Sequence, residues 1–297
     1  MGPVLLALDD TPASHLPVPW AAAEAAVRGT TLRVVRTVVT PPPVVVPATP
    51  WGTWYPWTSS DGRSPVAAAW DAARADLEDV VRQAHEVDPQ LGVETALTQA
   101  GAASARRDDA LLVVGRRRGL RALGGPVPGT ARRAARRVGR PLAVVALAEA
   151  PQEGPSAHRV VAALRSREDP TGVLDVAFRA AARRRVGVTV LHVPGDTLPA
   201  TVEAEILAEV LDPYEQVFPD VDVRTRAVPA LARAVVQESV GAALTVVGVP
   251  SSQRDLRGRT LARRVVAGAR GTVVLVPADV PAPGRREARA SSSSSVT

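Results

Sequence analysis

Apolar residues in this chain gather in short unbroken runs rather than alternating with polar ones: Val4-Leu-Leu-Ala-Leu-Asp9, Leu-Leu-Val-Val-Gly115, Val160-Val-Ala-Ala-Leu-Arg165 and Leu-Thr-Val-Val-Gly248. A strand covered on both faces reads this way, which points to a parallel sheet with helices on either side. Helical stretches lie between the runs: Ala21 to Arg28, Pro65 to Val87 and Thr130 to Val138, then Gly172 to Arg185, Ala200 to Val217, Ala230 to Val240 and Leu256 to Ala269. Strand, helix and strand in alternation predict an α/β, doubly wound parallel sheet with right-handed crossovers.

The pattern occurs twice. An offset of 156 residues carries Val4 onto Val160 and Arg36, closing Leu32-Arg-Val-Val-Arg36, onto His192, closing Val188-Thr-Val-Leu-His192. The offset falls to 130 between Val93 and Val223 and ends at 133 between Gly115 and Gly248, so the first copy holds about 26 extra residues after its second strand. Each copy then has five strands, the last being Pro141 to Leu147 and Thr272 to Val276. These readings predict two tandem domains, 1–147 and 158–279, joined by a Pro-, Glu- and Gly-bearing linker at 148–157 and followed by a Ser-rich tail, 280–297, too polar to order itself.

The insert, about 41–64, begins Pro41-Pro-Pro and gathers Trp51, Trp54, Tyr55 and Trp57. Large side chains can pin a long loop back onto its domain, or they can form a lid or a partner-binding patch.

Composition narrows the chemistry. The chain has 297 residues, 46% of them hydrophobic and 22% charged, as in a globular protein. No apolar run approaches the roughly 20 residues of a membrane helix, and the N-terminus lacks the layout of a secretory signal, so a cytoplasmic protein without membrane contact is expected. Zero cysteines exclude disulfides and thiolate chemistry. Lysine is absent, which excludes a phosphate-loop lysine and a Schiff base. The net charge of +6 is therefore carried by arginine, and with so few aromatics it argues against a nucleic-acid role. Arg132, Arg133, Arg136 and Arg137 would form one solvated helix face. No Gly-x-Ser-x-Gly elbow, no His-Glu-x-x-His helix and no clustered histidines occur; His15, His85, His158 and His192 are far apart. The sequence thus predicts a protein that is not an enzyme.

Ligands of an open parallel sheet lie beyond the carboxyl ends of the strands, where strand order reverses. After strand 1 the first copy carries Asp9 and the second Arg165. A carboxylate there can accept ribose hydroxyls or hold a metal on phosphates; equally, it can cap the first helix, a task open also to Asp10 and Ser14. After strand 4 the first copy reads Gly115-Arg-Arg-Arg-Gly119, then Gly129-Thr130. Glycines before a helix let the backbone approach an anion, and the helix amides point at it.

These residues resemble the universal stress protein family, in a tandem, UspA-like arrangement covering nearly the whole chain except the insert and the tail. ATP-binding members carry an Asp after strand 1 and Gly-x2-Gly-x9-Gly-Ser/Thr after strand 4. Gly119 and Gly129 keep the nine-residue gap and Thr130 follows; three residues stand between Gly115 and Gly119 where the family has two. Aligned without a gap from Gly115, the later family positions fall on Arg118, Pro128 and Gly129.

The resemblance implies an adenine nucleotide, ATP with Mg, bound in the first domain, with Val38 packing on the adenine ring. It implies a stress-response role, and pairing of the two domains through their last strands, with a homodimer as a further assembly. The second domain, with Arg165 for the acid and no Gly-Thr pair after Gly248, would be a structural partner without nucleotide. The alternative is a protein-interaction module that uses the Trp-rich insert and the arginine-rich face instead of a nucleotide.

Overall fold

The computed structural model describes residues 2–8, 15–38, 64–98, 111–115, 140–146, 154–165, 169–194, 199–249 and 256–277. The chain forms two compact units, Met1–Asp109 and Ala110–Thr297. The Trp-rich insert, the expected helix 130–138 and the segment 280–297 lie outside the described residues.

The first unit contains β1 (Val4–Leu8), α1 (Val18–Arg28), β2 (Leu32–Thr37), α2 (Pro65–Val87) and β3 (Val93–Thr98). The strands run parallel in the order β3-β2-β1, with Val4 opposite Leu32 and Leu32 opposite Val93. Helix α1 begins three residues earlier than its alanine run predicts, because Pro19 sits in the first turn, where its missing N–H costs nothing. Gly29 ends α1 at φ +61°, a left-handed cap in which its amide reaches the carbonyls of Ala25 and Ala26. Helix α2 buries Ala73, Leu77, Val80 and Ala84, a stripe repeating every three and four residues.

The second unit contains β4 (Leu111–Gly115), β5 (Leu142–Val145), β6 (Val160–Leu164), α3 (Thr171–Arg184), β7 (Val188–His192), α4 (Ala200–Val217), β8 (Val223–Ala227), α5 (Leu231–Glu238), β9 (Leu244–Val249), α6 (Leu256–Gly268) and β10 (Val273–Pro277). Its strand order is β4-β5-β10-β9-β6-β7-β8. All neighbours are parallel except β5 and β10, which run antiparallel with Leu142 opposite Leu275 and Val144 opposite Val273. Every residue of β5 and β10 is buried, so this pairing covers two apolar edges at once. The two strands are the last of each sequence repeat, and their pairing is the contact expected of them.

Phe178 on α3 anchors the core of the second unit. It is fully buried and stacks on Tyr214 of α4 at 5.2 Å between ring centroids, with Phe218 at 6.0 Å.

At the opposite end of the strands a polar network closes the second unit. Ser156 is buried and donates to Glu238 Oε2 at 2.6 Å, while Arg226 pairs with the other oxygen of the same buried carboxylate. Arg159 donates to Thr189 Oγ1, to the carbonyls of Val188 and Asp222, and to the Asp222 carboxylate. The Arg159 hydrogen bond, followed by its charge, holds the Asp222 carboxyl below the usual range. Ser156, within the stretch expected to be linker, is thus anchored in the second unit.

Removing the Phe178 ring should create a large cavity: Phe178→Ala is expected to lower the unfolding free energy by about 3–5 kcal/mol, read from urea denaturation followed by circular dichroism.

Candidate functional site

In the second unit β6 lies between β7 and β9, and the chain connects to these neighbours on opposite sides. This is the reversal of strand order at which a ligand crevice opens. A cleft does open there. Leu164 and Arg165 at the end of β6, Gly172 and Val173 at the start of α3, and Gly248 and Val249 at the end of β9 line it. Asp169 Oδ1 accepts the Thr171 amide at 3.0 Å and the Thr171 hydroxyl, so this carboxylate is spent on the first turn of α3. Arg165 and Asp169 both line the cleft, so the wall just beyond β6 carries a cation and a carboxylate.

His192 closes β7. Burial pushes its pKa down from the ordinary histidine value, and the charge of Glu203 pushes it partly back up.

The residues singled out in the first repeat meet the structure unevenly. Strand β1 ends at Leu8, and Asp9, the next residue, lies outside the described residues, as do Gly119, Gly129 and Thr130. Gly115 is the last residue of β4, paired in register with Val145 of β5. Val38 follows β2, donates its amide to the Thr98 carbonyl at 2.8 Å and is 5% exposed.

One cluster in the first unit escapes sequence reading. The Asp76 carboxylate on α2 holds two side chains: His15 Nε2 lies 2.6 Å from Oδ1, and Arg36 Nε donates to Oδ2 at 2.6 Å. Arg36 also donates through Nη1 to the Thr37 carbonyl at 3.1 Å. The three side chains are half-buried, 23%, 25% and 13% exposed for His15, Asp76 and Arg36. The available signal was an acid at position 76, three residues after Ala73 and four before Val80, on the face that packs. Among the described residues no three histidine or acidic groups are placed to hold a metal. No described helix is long and apolar enough to cross a membrane.

The α/β layering and the crevice at a strand-order reversal define a doubly wound α/β domain, and comparison with known proteins adds what the chain is similar to. Residues 1–146 match the model of the universal stress protein family. Universal stress proteins of Mycobacterium tuberculosis and Mycobacterium bovis are each 29% identical over 251 residues, 74% of this chain and 76% of theirs. The crystal structure of a universal stress protein from Archaeoglobus fulgidus superimposes with a TM-score of 0.65 at 13% identity, covering 93% of this chain and 98% of that one, a likeness of fold. These matches support a UspA-like protein: residues 1–146 are similar to the family model, and the mycobacterial relatives align along most of the chain.

His192 binds its proton less readily when folded than when unfolded, so the stability it contributes is complete above about pH 6.5 and is lost as pH falls below that value toward the lowered folded pKa. Urea midpoints at pH 7.5 and 5.5 should therefore fall less in His192→Gln than in the wild-type chain; equal falls would remove His192 as the cause.

Proposed function

We propose that this protein binds ATP, with Mg, in its first repeat and that the second repeat is a structural partner that does not bind nucleotide. In this reading the chain is a cytoplasmic stress-response binding protein of domains 1–147 and 158–279, and not a catalyst. Asp9 holds the ribose or the metal ion. Val38 lies against the adenine, and Gly115, Gly119, Gly129 and Thr130 offer backbone and hydroxyl donors to the phosphates.

One observation carries the reading. Arg165 and Gly248, the repeat equivalents of Asp9 and Gly115 at offsets of 156 and 133, line a single cleft in the second unit. Positions far apart in sequence thus meet at a crevice in the copy where both strand ends are described. The copies differ in what those positions carry: an acid in the first, a guanidinium in the second. A carboxylate can accept hydroxyls or hold a cation, whereas a guanidinium can only donate, so equivalent positions support different ligand chemistry. The match of residues 1–146 to the universal stress protein family model supports the same assignment.

Titration calorimetry with Mg-ATP tests this. The wild-type chain is expected to bind, Asp9→Ala to bind about ten- to a hundredfold more weakly through loss of hydrogen bonds to a charged group, and Arg165→Ala to bind as the wild type does. Binding that survives Asp9→Ala unchanged but is lost in Arg165→Ala would move the site to the second repeat.

A further inference from the structure

A different tie joins the corresponding elements of the second unit, and the contrast suggests the role of Asp76. Both units join the second helix of a repeat to the start of the first. In the second unit Tyr214 of α4 donates its hydroxyl to the carbonyl of Thr171, the first residue of α3, at 3.1 Å, and its ring stacks on Phe178. That tie is aromatic and carries no charge.

In the first unit the tie is His15 on Asp76, joining α2 to the residues just ahead of α1 through a carboxylate. A half-buried carboxylate gives up part of its hydration, so it is a poor choice of tie where an aromatic one serves stability. Asp76 does something Tyr214 does not: its second oxygen also grips Arg36, near the carboxyl end of β2. One carboxylate thus joins α2, β2 and the residues just ahead of α1, and Arg36 stands opposite Leu8 at the end of β1 and two residues before Val38. Arg36 in turn holds the carbonyl of Thr37, the residue before Val38.

We infer that Asp76 is a positioning residue for nucleotide binding: by holding His15 and Arg36 on one carboxylate, it sets the spacing between the end of β2 and the entry to α1. This rests on the nucleotide reading of the first repeat. Asp76 touches no nucleotide itself; it acts through the backbone at Thr37 and through the entry to α1. Sites held this way lose affinity when the support is loosened, even where the contacting groups are intact.

Calorimetric titration of the full chain with Mg-ATP, beside a thermal melt of each variant, decides the matter. Wild type is expected to bind, and Asp76→Asn to bind about two- to thirtyfold more weakly while still folding. Asp76→Glu, which restores the charge, is expected to recover part of that loss. Tyr214→Phe, which cuts the tie of the second unit, should lower the melting temperature without moving affinity. Equal affinity of Asp76→Asn and wild type overturns the positioning role and leaves the nucleotide reading standing, whereas no binding by the wild-type chain overturns both. Asp76→Glu no tighter than Asp76→Asn also overturns it, because the loss then belongs to packing. If Asp76→Asn does not fold, His15→Ala takes its place, since it removes one arm and leaves Arg36 paired. Unchanged affinity there overturns the role.

Discussion

A strand buried on both faces has only its two edges through which to satisfy its backbone, and that constraint shapes this protein. Leu142 to Val145 and Val273 to Pro277 have no polar face to turn to solvent, so each needs a neighbour on both sides. They find one in each other. The antiparallel β5–β10 ladder lets a run of otherwise parallel strands continue through a sheet of seven in the second unit. Parallel pairing elsewhere brings the carboxyl ends of neighbouring strands to one rim, and the residues just beyond those ends are free to differ. Arg165 and Gly248 show what the rim does: they are distant in sequence and share a cleft because β6 and β9 are neighbours in register.

Most of the fold was legible in the sequence. Uninterrupted Val, Leu and Ala runs are a direct signature of doubly covered strands, and the repeat offsets matched the strands of one copy to those of the other; β1, β2 and β6 begin at Val4, Leu32 and Val160 as the runs require. Helix ends were less legible. Pro19 starts α1 earlier than its alanines suggest, because a first-turn proline leaves no periodic trace. The buried network at Ser156 was missed for a different reason. A Pro-, Glu- and Gly-bearing stretch looks like a spacer, and nothing local reveals that Glu238, 82 residues away, receives its hydroxyl.

The site divides in the same way. Gly115 and Val38 stand at strand ends, as the runs imply. Asp76 could not be read, since ion pairs between residues 40 and 61 positions apart depend on tertiary packing that no period encodes. The sequence did hold the one hint described, an acid on the packing face of α2. Duplicated units diverge readily in this respect: hydrophobic runs are constrained by burial, while the ties between helices can be built differently, as Tyr214 and Phe178 show in the second unit.

The β5–β10 ladder joins residues 142–144 to residues 273–275. A ribosome emits the chain from its N-terminus, so β5 leaves the exit tunnel long before its partner exists. Contacts of such sequence separation form late, after many loop-closure steps. Until β10 emerges, the bare edge of β5 is a template for other nascent chains on the same message, and the same exposure would be permanent in any product of premature termination upstream of Val273. Final closure of this protein thus belongs to the end of its synthesis.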